Sequence, residues 1–174
     1  AAFSMREVAR RAGVSHQAPY HHFADREAIL AALVAEGFQQ LRAKMAAARG
    51  RSTPPAAQLA AIGKAYVAFA LANPAQFKLM FRSEWVSAED HGEAKACADS
   101  AFNLLVEVAG GVAQARGGES DPKLSLGAWS LAHGLATLML EGKFEQHWGK
   151  SRRLQQSAAN AVLEQFADFL AGAG

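Results

Sequence analysis

"GVSHQAPYHHF", residues 13–23, holds three of the chain's six histidines, two of them adjacent, with a proline beside a tyrosine. Three chemistries could use such a cluster: a metal site, a catalytic histidine, or a surface for an anionic partner. On a helix the adjacent His21 and His22 point about 100° apart, which does not suit a grip on one ion. No H-x-x-x-H, H-E-x-x-H or Cys/His cluster completes a metal set. Catalysis by a triad needs a nucleophile, a base and an orienting group, and no G-x-S-x-G elbow frames the serines here. The spacing fits the third reading. A short helix, a tight glycine turn and a second short helix form a helix-turn-helix, whose second helix can enter a DNA major groove.

The flanking residues extend that reading. Ser4 can cap a first helix, "MREVARRAG", with Glu7 three residues on as in a capping box. Gly13 suits a left-handed end. Ser15 opens the second helix, and Pro19, four residues on, forfeits only the first backbone bond. Ser15, His16 and Gln17 supply small and hydrogen-bonding groups at its start. Tyr20, His21 and Arg26 can reach phosphates. Asp25 then caps a long third helix, "REAILAALVAEGFQQLRAKMAAA", with Leu30, Leu33, Val34, Phe38, Leu41 and Met45 as its apolar stripe.

Composition agrees with helices. The chain has 174 residues, 51% hydrophobic and 20% charged, which is too apolar for disorder and long enough for a real core. Alanine is abundant, while β-branched residues are sparse. Residues 1–50 carry seven Lys/Arg against four acids, whereas the remainder carries 11 against 12, so the positive excess sits at the N-terminal end. Cys97 is the single cysteine, which excludes an internal disulfide and fits a reducing compartment. No apolar run is read as a membrane span. "AAFSM" lacks an initiator Met, and the sequence is expected to begin after the native start.

"RGRSTPP", residues 49–55, breaks the helical pattern and marks an expected boundary between a unit at 1–48 and one at 53–174. Beyond it the pattern predicts helices near 54–72, 74–83, 90–116, 122–142 and 150–171. On the last helix Leu154, Ala158, Ala161, Val162 and Phe169 share a side.

Residues 3–34, "FSMREVARRAGVSHQAPYHHFADREAILAALV", resemble the DNA-binding domain of the TetR family of bacterial transcriptional repressors. The matches are Ser4, Arg6, Val8-Ala9, Ala12 to Ser15, Tyr20 to Phe23 and Arg26 to Leu30, about 30 ordered positions without a gap. The resemblance implies an all-α fold, with an N-terminal helix-turn-helix domain and a C-terminal helical bundle for ligand binding and dimerisation. It implies that Arg6, His16 and Gln17 face base edges and that Ser4, Tyr20, His21 and Arg26 hold phosphates. Val8, Ala12, Val14 and Phe23 would form the small core, with His22 in a partly buried structural place. Arg10 and Arg11 are read as a solvated face. Many members have Lys where His16 stands, so the contact here would be weaker or pH-dependent. The family also has a helix before the Ser4 position, where this sequence has three residues.

Two stretches in the second half resemble one TetR C-terminal subgroup. "AWSLAHGLATLML" carries its Trp-x-x-x-His-Gly signature as Trp129, His133 and Gly134, and "NPAQFKLMF" its second motif. By the residues alone, Phe69, Phe77, Met80, Phe81, Trp85, Phe102 and Trp129 could line an apolar pocket with His133 as its polar handle, or could simply be core. Gly134 would permit close approach of another helix. The resemblance places an inducer among these middle helices. It pairs the helices near 122–142 and 150–171 with their copies in a homodimer, with Ala132, Ala136, Ala158 and Ala161 allowing close packing.

The function read from the sequence is a cytoplasmic, nucleoid-associated repressor. It binds a palindromic double-stranded DNA operator and is released by a small hydrophobic effector, with no cofactor, metal or membrane involved. One rival is a helical ligand-binding protein that has lost DNA binding. Another is a helical-bundle enzyme with His133 or His147 as base, which lacks any paired carboxylate or nucleophile arrangement.

Overall fold

The computed structural model describes residues 5–15, 17–82 and 91–172. Among them every regular element is helical: α1 (Met5–Ala12), a 3-10 turn (Ala18–His21), α2 (Arg26–Arg49), α3 (Pro55–Ala72), α4 (Pro74–Met80), α5 (Gly92–Ala115), α6 (Pro122–Leu140), α7 (Glu145–Trp148) and α8 (Arg152–Gly172).

The helix ends follow capping chemistry. Asp25 is extended, and its carboxylate accepts the Ala28 N–H at 2.8 Å, which satisfies one free donor of α2. Asp121 does the same for Lys123 at 2.9 Å, with Pro122 at the first helical position of α6. Asn73 ends α3 by sending both its backbone N–H (2.9 Å) and its Nδ2 (3.1 Å) to the Phe69 carbonyl. Pro74 then opens α4. The one-turn α7, which the sequence pattern does not show, closes at Gly149, with φ 68°.

Helix α3 lies at the centre and packs against α2, α4, α5, α6 and α8. Ile62, Val67, Phe69 and Ala70 on it are fully buried. Both α3 and α5 are long and apolar enough to cross a membrane by length and composition, contrary to the reading that no run is. Much of each instead lies against other helices, which explains the hydropathy. Helix α2 joins the same core through Leu30, Val34, Phe38, Leu41 and Met45, while Leu33 is exposed. The 49–55 break is thus a turn between two helices that share one core. Arg49 reinforces that turn, donating to Gln58 at 3.3 Å and to Glu107 on α5 at 2.7 Å. Gly37 lets α2 approach α4, since a Cβ there would stand 2.6 Å from Met80 Sδ.

The side of α8 that carries Leu154, Val162 and Phe169 does not face this core. Gln155, Ala159, Leu163, Ala167 and Leu170 are buried, whereas Leu154, Val162 and Phe169 are exposed, Phe169 at 69%. On α6, Leu126 and Leu138 are exposed too. Ala132 and Ala136, expected at a dimer contact, are buried inside the protomer (4% and 0%), because that side of α6 packs on α3. A Cβ on Gly134 would meet nothing, so no helix among the described residues approaches it closely.

Candidate DNA-binding face and effector cavity

The N-terminal elements form the turn the spacing predicts. Gly13 adopts φ 69°, and the Val14 N–H returns to the Ala9 carbonyl at 3.0 Å, which stops α1. The second element is a 3-10 turn of four residues, not a full α-helix. Pro19 has no N–H to give, and its neighbours make i→i−3 bonds, Ala18 to Ser15 (3.1 Å) and Tyr20 to Gln17 (3.0 Å). The Ser15 hydroxyl also accepts the Ala18 N–H at 3.2 Å.

Arg6, Gln17, Tyr20, His21 and Arg26 are all exposed, Tyr20 by half. Ser4 and His16 lie outside the described residues. Glu7 is gripped by Arg10 (2.7 and 2.8 Å) and Arg11 (2.8 Å), which hold its carboxyl below the usual range. The two arginines thus spend their charge locally, and the capping box expected with Ser4 lies outside the described residues. The small core differs from expectation. Ala9 is the buried residue of α1, whereas Val8, Ala12 and Val14 are exposed and Phe23 is half-buried. His22 is exposed as well, because it falls just beyond the 3-10 turn.

The second site lies behind α2. A cavity of about 330 Å³ is lined by Phe38, Leu41 and Met45 of α2, Tyr66 of α3, Phe81, Trp129 of α6, and Ala98, Asp99, Ala101, Phe102 and Leu105 of α5. Its walls are almost wholly apolar. Of the residues expected there, Phe81, Phe102 and Trp129 line it, and Phe102 meets Trp129 edge-on at 5.9 Å. Phe77 and His133 stand instead on a neighbouring groove of about 240 Å³ with Phe81, Lys78, Arg82, Thr137, Leu140 and Glu141. Phe69 is fully buried core, and Met80 fills the space above Gly37. Trp85 lies outside the described residues.

Tyr66 is the residue that sequence reading missed. Its hydroxyl lies 2.8 Å from His133 Nδ1 and accepts from Trp129 Nε1 at 3.4 Å. Tyr66 is buried, and burial pushes its phenol well above the ordinary range. Burial also pushes His133 below its ordinary value. Both groups are then neutral near pH 7. Trp129 can only donate, so giving the tyrosine proton its partner at Nδ1 assigns the imidazole proton to Nε2. A tyrosine inside "AYVAFALA" was the available signal, because a buried phenol demands a partner. Phe38, Leu41 and Met45 were legible as a helical stripe, but not as cavity lining.

An exposed helix-turn-helix carried on an all-α body defines a class of DNA-binding helical protein. The comparisons assign the family. Residues 1–33 match the model described as bacterial regulatory proteins, tetR family, and residues 59–171 the tetracyclin repressor-like C-terminal domain. No curated protein matches. A Rhodococcus sp. RHA1 protein of unknown function is 31% identical over 94% of this chain and 84% of its own, with a TM-score of 0.72. The TetR family transcriptional regulator PfmR from Thermus thermophilus shares the fold at 20% identity, over 97% of this chain and 87% of its own, with a TM-score of 0.65. The chain belongs to the TetR family, and it is a DNA-binding transcriptional regulator rather than an enzyme.

Proposed function

We propose that this regulator is a repressor, binding a palindromic operator as a homodimer and released by a small hydrophobic effector. The observation that carries the reading is α2. It starts at Asp25, beside exposed Tyr20, His21 and Arg26, and its middle lines the cavity with Phe38, Leu41 and Met45. Its 24 residues span about 36 Å at 1.5 Å each, so one rigid rod touches both sites. A ligand that displaces this wall tilts the DNA-binding end. By linkage, it weakens operator binding by the factor by which the operator weakens its own binding.

Arg6, His16 and Gln17 are the proposed base readers. Ser4, Ser15, Tyr20, His21 and Arg26 position the phosphates. The exposed Leu126 and Leu138 of α6 and Leu154, Val162 and Phe169 of α8 are the proposed dimer face, since singly scattered leucines are ordinary but neighbouring apolar rows are not. Two-fold symmetry then matches half-sites one helical turn apart, about 34–36 Å. The regulator works in the cytoplasm, where its DNA is.

Selection of bound duplexes from a random DNA pool tests this. Enrichment of a palindrome is the expected result, and log affinity falls linearly with log salt. Weak binding without enrichment of any sequence would overturn it.

A further inference from the structure

Phe81 belongs to both hollows. Its ring lies among Phe38 (5.6 Å), Tyr66 (6.5 Å), Trp129 (6.4 Å) and His133 (4.6 Å), so it is the partition between the α2–α5 cavity and the groove beside α4 and α6. At about 330 Å³ the cavity sits at the small end of the roughly 300–1,000 Å³ range of small-molecule sites, and the groove, at about 240 Å³, lies below it; joined, they fall well inside the range. Phe81 itself is only half-buried, and it follows the end of α4.

The two hollows differ in chemistry. Among the cavity's lining residues the one charged group is Asp99, already bonded to Lys95 at 2.8 Å. The groove carries the exposed ammonium group of Lys78 beside Glu141. It also carries His133, whose Nδ1 is taken by Tyr66, which leaves the proton-bearing Nε2 as the donor available to a ligand. An apolar body is favoured on one side of Phe81, and a hydrogen-bond-accepting anion on the other.

We infer that the effector site is one two-chambered site for an elongated amphipathic anion, its apolar body in the α2–α5 cavity and its anionic head at His133 and Lys78. This rests on the effector reading above and narrows it to a ligand class. Phe81 sets the length of molecule that can cross from one chamber to the other.

The test is calorimetric titration of the full chain with straight-chain alkanoates of increasing length, and with primary alcohols and alkylamines of matched length. A long alkanoate should bind about tenfold more tightly than its alcohol, the value of one charge-assisted hydrogen bond. Lys78→Gln should reduce that ratio, and Lys78 is exposed, so the fold tolerates it. Phe81→Trp should weaken long chains more than short ones. Equal binding of alkanoate and alcohol, or preference for the amine, would overturn the placement of the head. Binding that ignores chain length would reduce the site to the cavity alone, with the effector reading intact. If no apolar probe of any class binds, the effector reading falls with this one.

Discussion

Replacing Tyr66 with phenylalanine removes one oxygen and nothing else from the cavity wall. That oxygen donates to His133 Nδ1 at 2.8 Å and accepts from Trp129 Nε1 at 3.4 Å. The shorter bond contributes a net ~1 kcal/mol, and leaving a part-buried indole N–H unpaired adds up to a similar cost, so the expected loss is about 1–2 kcal/mol. For a chain of 174 residues each kcal/mol lowers Tm by roughly 2–4 °C. Phenylalanine keeps the ring contacts with Phe77 (5.6 Å, edge-on), so packing does not confound the number. The pH dependence is the sharper readout. Burial depresses the folded-state value of His133, so the folded protein holds it neutral. That contribution is fully present above the unfolded histidine value of about 6.5 and is lost as pH falls below it toward the folded value. The bond from Tyr66 also favours the neutral imidazole, since it is donated to Nδ1. Without it the folded value rises toward the ordinary one, and the acid-side loss of stability becomes shallower. Urea unfolding of both proteins between pH 5 and 8, roughly the range in which histidine titrates, reads both effects. Equal stability with an unchanged pH slope would refute the assigned tautomer and the network with it.

Tyr20→Phe should weaken binding to every duplex alike, whereas Gln17→Ala should change which sequence is preferred in the random-pool selection. Equal weakening of all sequences by Gln17→Ala would reverse the orientation of the turn. Ala161→Arg, on the exposed side of α8, should split the dimer on sizing while the protomer stays folded. Ala136→Arg, with 0% exposure against α3, should unfold it by burying an unpaired charge. A dimer that survives Ala161→Arg moves the interface elsewhere. Asp25→Ala should cost about 1 kcal/mol in urea unfolding by freeing the Ala28 N–H, and no change would mean the α2 start is held by packing alone.

Much of this was readable along the chain. Gly13, Asp25, Asn73-Pro74 and Asp121-Pro122 each act through bonds to residues two to five positions away, and local chemistry of that kind survives outside any fold. The apolar period of α2 was equally plain. What periodicity left open was the partner of each face. Leu154, Val162 and Phe169 share a side by their spacing, yet the buried residues are Gln155, Ala159 and Leu163, because the apolar period alone does not say which side meets the core of its own chain.

The helical class, the helix-turn-helix and its family were determined by the sequence alone, since short-range caps, turn glycines and an ordered local motif need no long-range contact to be recognised. The apolar cavity was decided only by tertiary structure. Its lining comes from residues as far apart as Phe38 and Trp129, and the bond from Tyr66 on its wall to His133 on the neighbouring groove spans 67 positions. Contacts over such separations depend on how helices cross, and one-dimensional spacing carries no measure of that.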